Sequence, residues 1–193
     1  PQITSAIPAN AIAALKARVD AGGMFIVQSD IYTNGTTEVA DLVLPAATWG
    51  EEDFARNNAE RRLRLYGKFM DAPGEAKPDW WAIAQVAQKM GFEGYDFKDS
   101  NELLEAYAPL SGGRKDFKQL GEWTKSKGIK LHDWLREAGT SGIQTPVVIE
   151  NDEPTGTDRL HTDMSFKGGK SRFVIVDFDA IKERNELLGP NED

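Results

Sequence analysis

Two short apolar runs, Met24-Phe25-Ile26-Val27 and Leu42-Val43-Leu44, constrain this 193-residue chain more than any other feature. Bounded by glycine, proline or a polar turn, each reads as a short strand covered on both faces. A helical repeat over 8–21, with Ile12, Leu15 and Val19 in phase, precedes the first run. Pro8 suits its first turn and Gly22-Gly23 its stop. A helical turn at Glu38–Ala40 leads into the second run. Helix, strand, turn of helix and strand in that order predict an α/β fold around a parallel sheet. A second helix starts near Pro78, with Trp81, Ile83, Ala84, Ala87 and Met90 inward and Gly91 closing it. From Phe92 the texture changes to short helical pieces between glycines, marked by Leu103, Leu104 and Tyr107, by Phe117 and Leu120, and by Leu131, Trp134 and Leu135. Arg172–Phe178 reads as a final strand.

What the chain lacks narrows its chemistry. It has no cysteine and two histidines, His132 and His161. Disulfides, zinc ribbons, thiol nucleophiles, iron–sulfur ligation within this stretch and a histidine-rich metal site are excluded together. Any redox chemistry then belongs to a group held elsewhere or by non-covalent contacts. A net charge of −8 with no basic run repels phosphate backbones, so no nucleic-acid partner is expected. No stretch approaches eighteen apolar residues, which excludes a membrane-spanning helix. The opening Pro1-Gln2 has neither Met nor a basic leader, and the expectation is an interior piece of a longer protein.

Several segments invite a functional reading beside a plainer one. Ser29-Asp30 stands at the carboxyl end of the first predicted strand, where ligands of open α/β sheets bind. A carboxylate there can accept two hydrogen bonds from an edge such as guanine N1 and N2. On position alone, capping the following turn is the favoured role. Asn34-Gly35-Thr36 fits a glycosylation acceptor, but a turn is the better account. Gly169-Lys170-Ser171 lacks the earlier glycine of a phosphate loop, since Met164 stands there. Glu51-Glu52-Asp53 reads as a solvated loop. Asn58-Ala59-Glu60-Arg61-Arg62 could grip an anion, although an internal ion-pair network is favoured. Asp79 follows Pro78 in a first helical turn, where the helix dipole favours a carboxylate. Trp80 and Trp81 read as packing residues, and His132-Asp133 as surface or local capping.

Taken in order, these segments resemble one family. The strand ending Gln28-Ser29-Asp30, the strand Ala40-Asp41-Leu42-Val43-Leu44-Pro45, the Glu60-Arg61-Arg62 triplet and the turn Pro73-Gly74-Glu75-Ala76-Lys77-Pro78-Asp79 follow the order and spacing of the molybdopterin oxidoreductases of the dimethyl sulfoxide reductase family. A weaker likeness continues through Gly142–Val147 and Gly169–Phe173. Within the family, Arg61–Tyr66 with Lys68–Gly74, and Phe54, are most similar to the large molybdenum subunit of the arsenite oxidase branch. Ala55, Arg56 and Ala59 depart from that branch and leave room for the iodate and nitrate reductases.

The resemblance implies an interior segment of a catalytic subunit that binds molybdenum between two molybdopterin guanine dinucleotides. The residues matching Ser29, Asp30 and Asp79 contact the dinucleotide in relatives. The position of Glu52 does so through a lysine in nitrate reductases, a contact that a glutamate cannot make with phosphate. No catalytic residue or metal ligand is implied for this stretch. An iron–sulfur cluster and the substrate-facing residues lie upstream, and a further dinucleotide-binding domain downstream. The implied partners are the remainder of the catalytic subunit, a small Rieske-type electron-transfer subunit and a small oxyanion substrate. The implied location is the periplasm, or the cytoplasm for an assimilatory nitrate reductase. The domains expected are an α/β cofactor-binding portion at 1–91, a helical and loop-rich portion at 92–169, and a strand and linker at 170–193. The expected activity is arsenite oxidation to arsenate by oxygen-atom transfer, with iodate or nitrate reduction as the neighbouring alternative. A non-catalytic α/β interaction domain is the alternative of another class. Taken alone, the chain is expected to be inactive and to cover its apolar strands poorly.

Overall fold

A computed structural model describes residues 9–158, together with Asp177 and Asp179. The strand expected at Arg172–Phe178 lies outside the described residues apart from Asp177. The chain divides into two compact units, one reaching to Pro45 and the other beginning at Ala46.

In the first unit, helix α1 (Ala9–Asp20) is followed by strand β1 (Val27–Asp30), a 3-10 turn at Thr37–Val39, and strand β2 (Leu42–Pro45). The α1 helix ends as its sequence requires. Gly22 takes φ +72° and the Gly23 N–H reaches back to the Arg18 carbonyl at 2.9 Å, satisfying a carbonyl that the helix leaves open. The two strands pair in parallel, with Val27 opposite Leu42 and Asp30 opposite Pro45. That parallel pair, with its helical connections, is the α/β element of the chain.

The first strand does not occupy the apolar run expected of it. Pairing starts only at Val27, because the Asp41 carboxylate takes the Ile26 N–H at 2.8 Å and sets the register there. The ladder therefore runs into Gln28, Ser29 and Asp30. Nor are the two strands buried on both faces. Val27 is 51% exposed while Gln28 is only 7% exposed, and Leu42 and Val43 also face outward. The polar side chain is buried because it is tied into the loop after β1.

The second unit carries an antiparallel sheet. Strands β3 (Phe54–Asn57) and β4 (Arg62–Tyr66) form a hairpin, and β5 (Ile143–Gln144) adds to the other side of β4. Phe54 stacks on its cross-strand partner Tyr66 with ring centroids 5.1 Å apart. Helices α2 (Asp79–Lys89), α3 (Ser100–Tyr107), α4 (Lys118–Ser126) and α5 (Leu131–Ala138) follow the hairpin in sequence. A short hairpin of β6 (Val148–Glu150) and β7 (Glu153–Thr155) turns at Asn151 and Asp152, both at positive φ, as a two-residue turn needs to match strand twist. The core joins sheet to helices: Leu63 and Ile143 meet Leu104, Phe117, Leu120, Leu131 and Leu135. The short helical pieces predicted from Leu104, Leu120 and Leu135 are thus α3, α4 and α5, and those leucines are their inward anchors.

Helix α2 starts and stops where predicted, after Pro78 and before Gly91, which takes φ +83°. Its face does not match the prediction. Ala84 and Ala87 are buried, while Ile83 is 65% exposed and Met90 is exposed too. Only the small residues fit against the unit's own surface, so the larger ones stay outside. The core therefore sits under α4 and α5. Leu135→Ala is expected to cost about 2–5 kcal/mol, whereas Ile83→Ala changes stability by no more than about 0.5 kcal/mol. Urea denaturation followed by tryptophan fluorescence checks both.

Candidate functional site

Strand β1 delivers Asp30 to its carboxyl end, and the alternation of a strand separates the predicted pair. Asp30 shares a face with Gln28, and Ser29 points to the opposite one. The Asp30 carboxylate is already engaged by its own loop. Oδ1 accepts the Ile31 N–H at 2.8 Å, and Oδ2 accepts Asn34 Nδ2 at 2.8 Å and Gln28 Nε2 at 3.3 Å. The Ile31 N–H above all, with Asn34 and Gln28 assisting, holds the Asp30 carboxyl below the ordinary aspartate range, so it is ionised at neutral pH. The turn-capping role is therefore real, and it also presents a fixed negative charge at the strand end. Asn34 is drawn into this knot, which supports its reading as a turn residue. A cleft of about 440 Å³ borders the same loop and is lined by Thr33, Asn34, Gly35, Thr37 and Glu38.

In the second unit, Glu52 and Asp79 are brought together. The Trp80 indole N–H, one residue into α2, donates to Glu52 Oε2 at 3.1 Å. Burial is the largest influence on Glu52 and raises its pKa; the Trp80 bond opposes this, and the like charge of Asp79 adds to it. Trp80 is therefore a carboxylate partner as well as a packing residue. The neighbouring acids are structural: Glu51 Oε2 takes the Thr48 N–H at 2.9 Å, and Asp53 takes the Lys68 N–H at 2.7 Å and pairs with Arg136 at 3.0 Å. Among the described residues no group of three or more histidines and carboxylates could hold a metal ion.

Glu52 and Trp80 also line a cleft of about 370 Å³ that includes Asp99, Lys130, His132 and Arg136. Here the structure corrects the sequence reading of His132 as a surface residue. His132 is 4% exposed, and its Nε2 has no hydrogen-bond partner. Its place follows from how α5 is capped. Lys130 offers no side-chain cap, so helix α3 supplies one: Asn101 Oδ1 accepts the His132 N–H at 2.9 Å and Glu105 Oε1 accepts the Leu131 N–H at 3.2 Å. The helix N-terminus is thereby drawn inward with its imidazole. The period-3.6 match of Leu131 and Leu135 marks the buried face of α5, but the adjacent histidine could be found only by knowing that α3 covers that end.

Burial pushes the His132 pKa down, against the pull of Asp53 and Asp99, with Arg136 also lowering it and Glu105 raising it. The folded state thus keeps the ring neutral while the unfolded chain binds a proton below about pH 6.5. Its contribution to stability is present above that pH and is lost as pH falls toward the depressed folded pKa. His132→Gln should flatten the fall in urea midpoint between about pH 7 and 5, and a titration of midpoint against pH in both proteins measures it.

The Asn58–Arg62 segment resolves as architecture. Glu60 pairs with Arg62 at 3.4 Å and with Arg64 at 3.0 Å across the β3–β4 turn. This is the internal ion-pair network favoured from the sequence.

Comparison with known proteins matches residues 6–89 to the molybdopterin oxidoreductase family. The chain is 54% identical over 153 residues to the iodate reductase subunit IdrA of Denitromonas iodatirespirans, covering 76% of this chain and 17% of that protein. It is 51% identical over 166 residues to the IdrA subunit of Pseudomonas sp. strain SCT, covering 83% and 19%. Identity to the arsenite oxidase subunit AioA of Herminiimonas arsenicoxydans is 34% over 178 residues, covering 83% and 21%. The chain therefore spans about a fifth of the length of the relatives it matches. The family uses a molybdenum–pterin cofactor, and the matched stretch contains Ser29, Asp30, Glu52 and Asp79. The chain belongs to the molybdopterin oxidoreductases of the dimethyl sulfoxide reductase family.

Proposed function

We propose that the chain is part of the catalytic subunit of a molybdenum-bis(molybdopterin guanine dinucleotide) oxidoreductase that reduces iodate. The observation that carries the branch is the identity over most of the chain, 54% and 51% to two iodate reductase subunits against 34% to the arsenite oxidase subunit. Arsenite oxidation, ranked first from Arg61–Tyr66 and Lys68–Gly74, becomes the second reading. Ala55, Arg56 and Ala59 already depart from that branch.

The residues fit the base and pterin end of the dinucleotide better than its phosphates. Asp30 and Asp79 are acceptors suited to amine and ring N–H groups, and Gln28 Oε1 is a buried acceptor with no donor. Burial above all, with the like charge of Asp79, raises the Glu52 pKa, and a carboxylate cannot clasp a diphosphate as a lysine would. When bound, the molybdenum centre supplies two-electron oxygen-atom transfer. This chain supplies placement. Asp30 holds the guanine edge from the end of β1, Ser29 offers a hydroxyl from the other face, and Asp79 takes an amine at the start of α2. The reading includes the remainder of the subunit, an iron–sulfur cluster held outside this cysteine-free chain, a small Rieske-type electron-transfer subunit and a periplasmic location. No helix among the described residues is long and apolar enough to cross a membrane.

Two measurements on the full-length enzyme test this. Steady-state assays with iodate, arsenite and nitrate should give turnover with iodate; turnover with arsenite and none with iodate reverses the ranking. Asp30→Ala should lower the guanine nucleotide released per protein on acid hydrolysis by about tenfold when cofactor is limiting, since bonds to a charged group are among the stronger ones. Unchanged nucleotide content removes Asp30 from the site.

A further inference from the structure

Gln28 and Asn34 surround Asp30, and neither a motif nor a relative assigns them a role. Gln28 lies two residues before Asp30 on the same face of β1 and is buried, whereas Val27 beside it is not. Gln28 Nε2 donates to Asp30 Oδ2 at 3.3 Å and to Asn34 Oδ1 at 3.0 Å. Asn34 Nδ2 closes the ring onto Asp30 Oδ2 at 2.8 Å, while Asn34 Oδ1 also takes the Thr36 N–H at 2.9 Å. These contacts fix both amides. Turning either one over would set its carbonyl oxygen against the carboxylate. The arrangement leaves Gln28 Oε1 buried without a donor. A buried amide whose Nε2 end sits on Asp30 and Asn34 while its other end goes unpaired is held there by those two acceptors together.

The consequence is an Asp30 side chain that cannot turn. Its Oδ2 is held by the short bond from Asn34 and its Oδ1 by the Ile31 N–H at 2.8 Å, and the Tyr32 N–H also donates to the carboxylate. The 3.3 Å contact from Gln28 is the weak one and can yield to an incoming N–H. Gln28 would still hold Asn34 through the 3.0 Å bond. A carboxylate held still presents its two oxygens to two adjacent donors at a set angle. One free to rotate satisfies a single donor equally well.

We propose that Gln28 and Asn34 are positioning residues that hold the Asp30 carboxylate in one orientation, and that this orientation selects a base edge with two adjacent N–H groups, guanine over hypoxanthine. The inference rests on the reading of Asp30 as the guanine contact. Guanine offers N1–H and the exocyclic N2 amine, whereas hypoxanthine offers N1–H alone, so the pair isolates the second bond.

The test uses the cofactor-free, full-length protein titrated with GMP and with IMP, binding being followed by calorimetry or ligand-observed NMR. The native protein should prefer GMP by about tenfold or more, the worth of one bond to a charged group. Gln28→Leu should bring the two affinities together, chiefly by weakening GMP. Asn34→Ala, which leaves the strand intact, should do the same and carries the test if Gln28→Leu does not fold. A GMP preference retained in the folded variants overturns the positioning role while leaving the guanine reading in place. A native protein that binds neither nucleotide, or both alike, overturns the guanine reading itself and this inference with it.

Discussion

Thr145 is the point on which the larger unit depends. It is fully buried, and its N–H reaches the Arg61 carbonyl at 2.7 Å. Its hydroxyl lies between the Arg61 and Arg114 carbonyls, at 2.9 Å and 3.0 Å, and accepts Asn57 Nδ2 at 3.2 Å. Residues far apart in sequence are joined through one small side chain in a place closed to water, where an unmet backbone carbonyl is costly. Arg61 pays in conformation, with φ +63° and its side chain buried. A left-handed, non-glycine backbone costs about 1–2 kcal/mol, and Thr145 is what holds it there. Gln144 adds to the clasp by donating Nε2 to the Glu60 carbonyl at 2.9 Å. The Asn58–Arg62 turn is therefore held in shape by Thr145 and Gln144.

Signals that act locally were legible in the sequence. Helix ends were legible because Pro78, Gly22 and Gly91 act locally, on φ and on the missing N–H, and need no partner to be read. The leucines of α3, α4 and α5 were legible for a similar reason, since a 3.6-residue period marks a face whatever covers it. Strand β3 was not, because Phe54-Ala55-Arg56-Asn57 has no apolar alternation; it is a strand through its ladder with β4 and the Phe54–Tyr66 stack. The frame of β1 was missed for a related reason. Apolarity placed the strand at Met24–Val27, but hydrogen bonding, begun by the Asp41 carboxylate, placed it at Val27–Asp30.

The candidate site shows the same division. A carboxylate at a strand end can be found from sequence order alone, and so can one in the first turn of a helix. Which neighbours set its charge cannot. N–H groups of its own loop lower the Asp30 pKa, whereas burial and the charge of Asp79 raise that of Glu52. Asp30 stood out in the sequence as the strand-end candidate, while Glu52 read as part of a solvated loop, and only the structure shows Glu52 half-buried against the Trp80 indole. His132 was misjudged because its burial comes from Asn101 and Glu105, about thirty residues upstream, which no local pattern announces.

The exposed apolar residues carry the remaining argument. Val27, Leu42 and Val43 on β1 and β2, and Ile83 and Val86 on α2 with Met90 just past its end, all lie outward. Single exposed apolar side chains are ordinary, but here they recur along elements whose sequences call for cover. On α2 they follow the i, i+3, i+7 spacing of one helix face, and on the strands they fall on the paired ladder itself. The polar residues on the same elements, Gln28 and Asp30 on β1 and Asp79 on α2, are those already held by hydrogen bonds or charge neighbours. Within one strand or helix, then, the polar positions are fixed by contacts of this chain, while the apolar ones named stay exposed among the described residues. Asp30 can consequently keep its orientation through contacts local to its own loop, independently of how the apolar faces are covered.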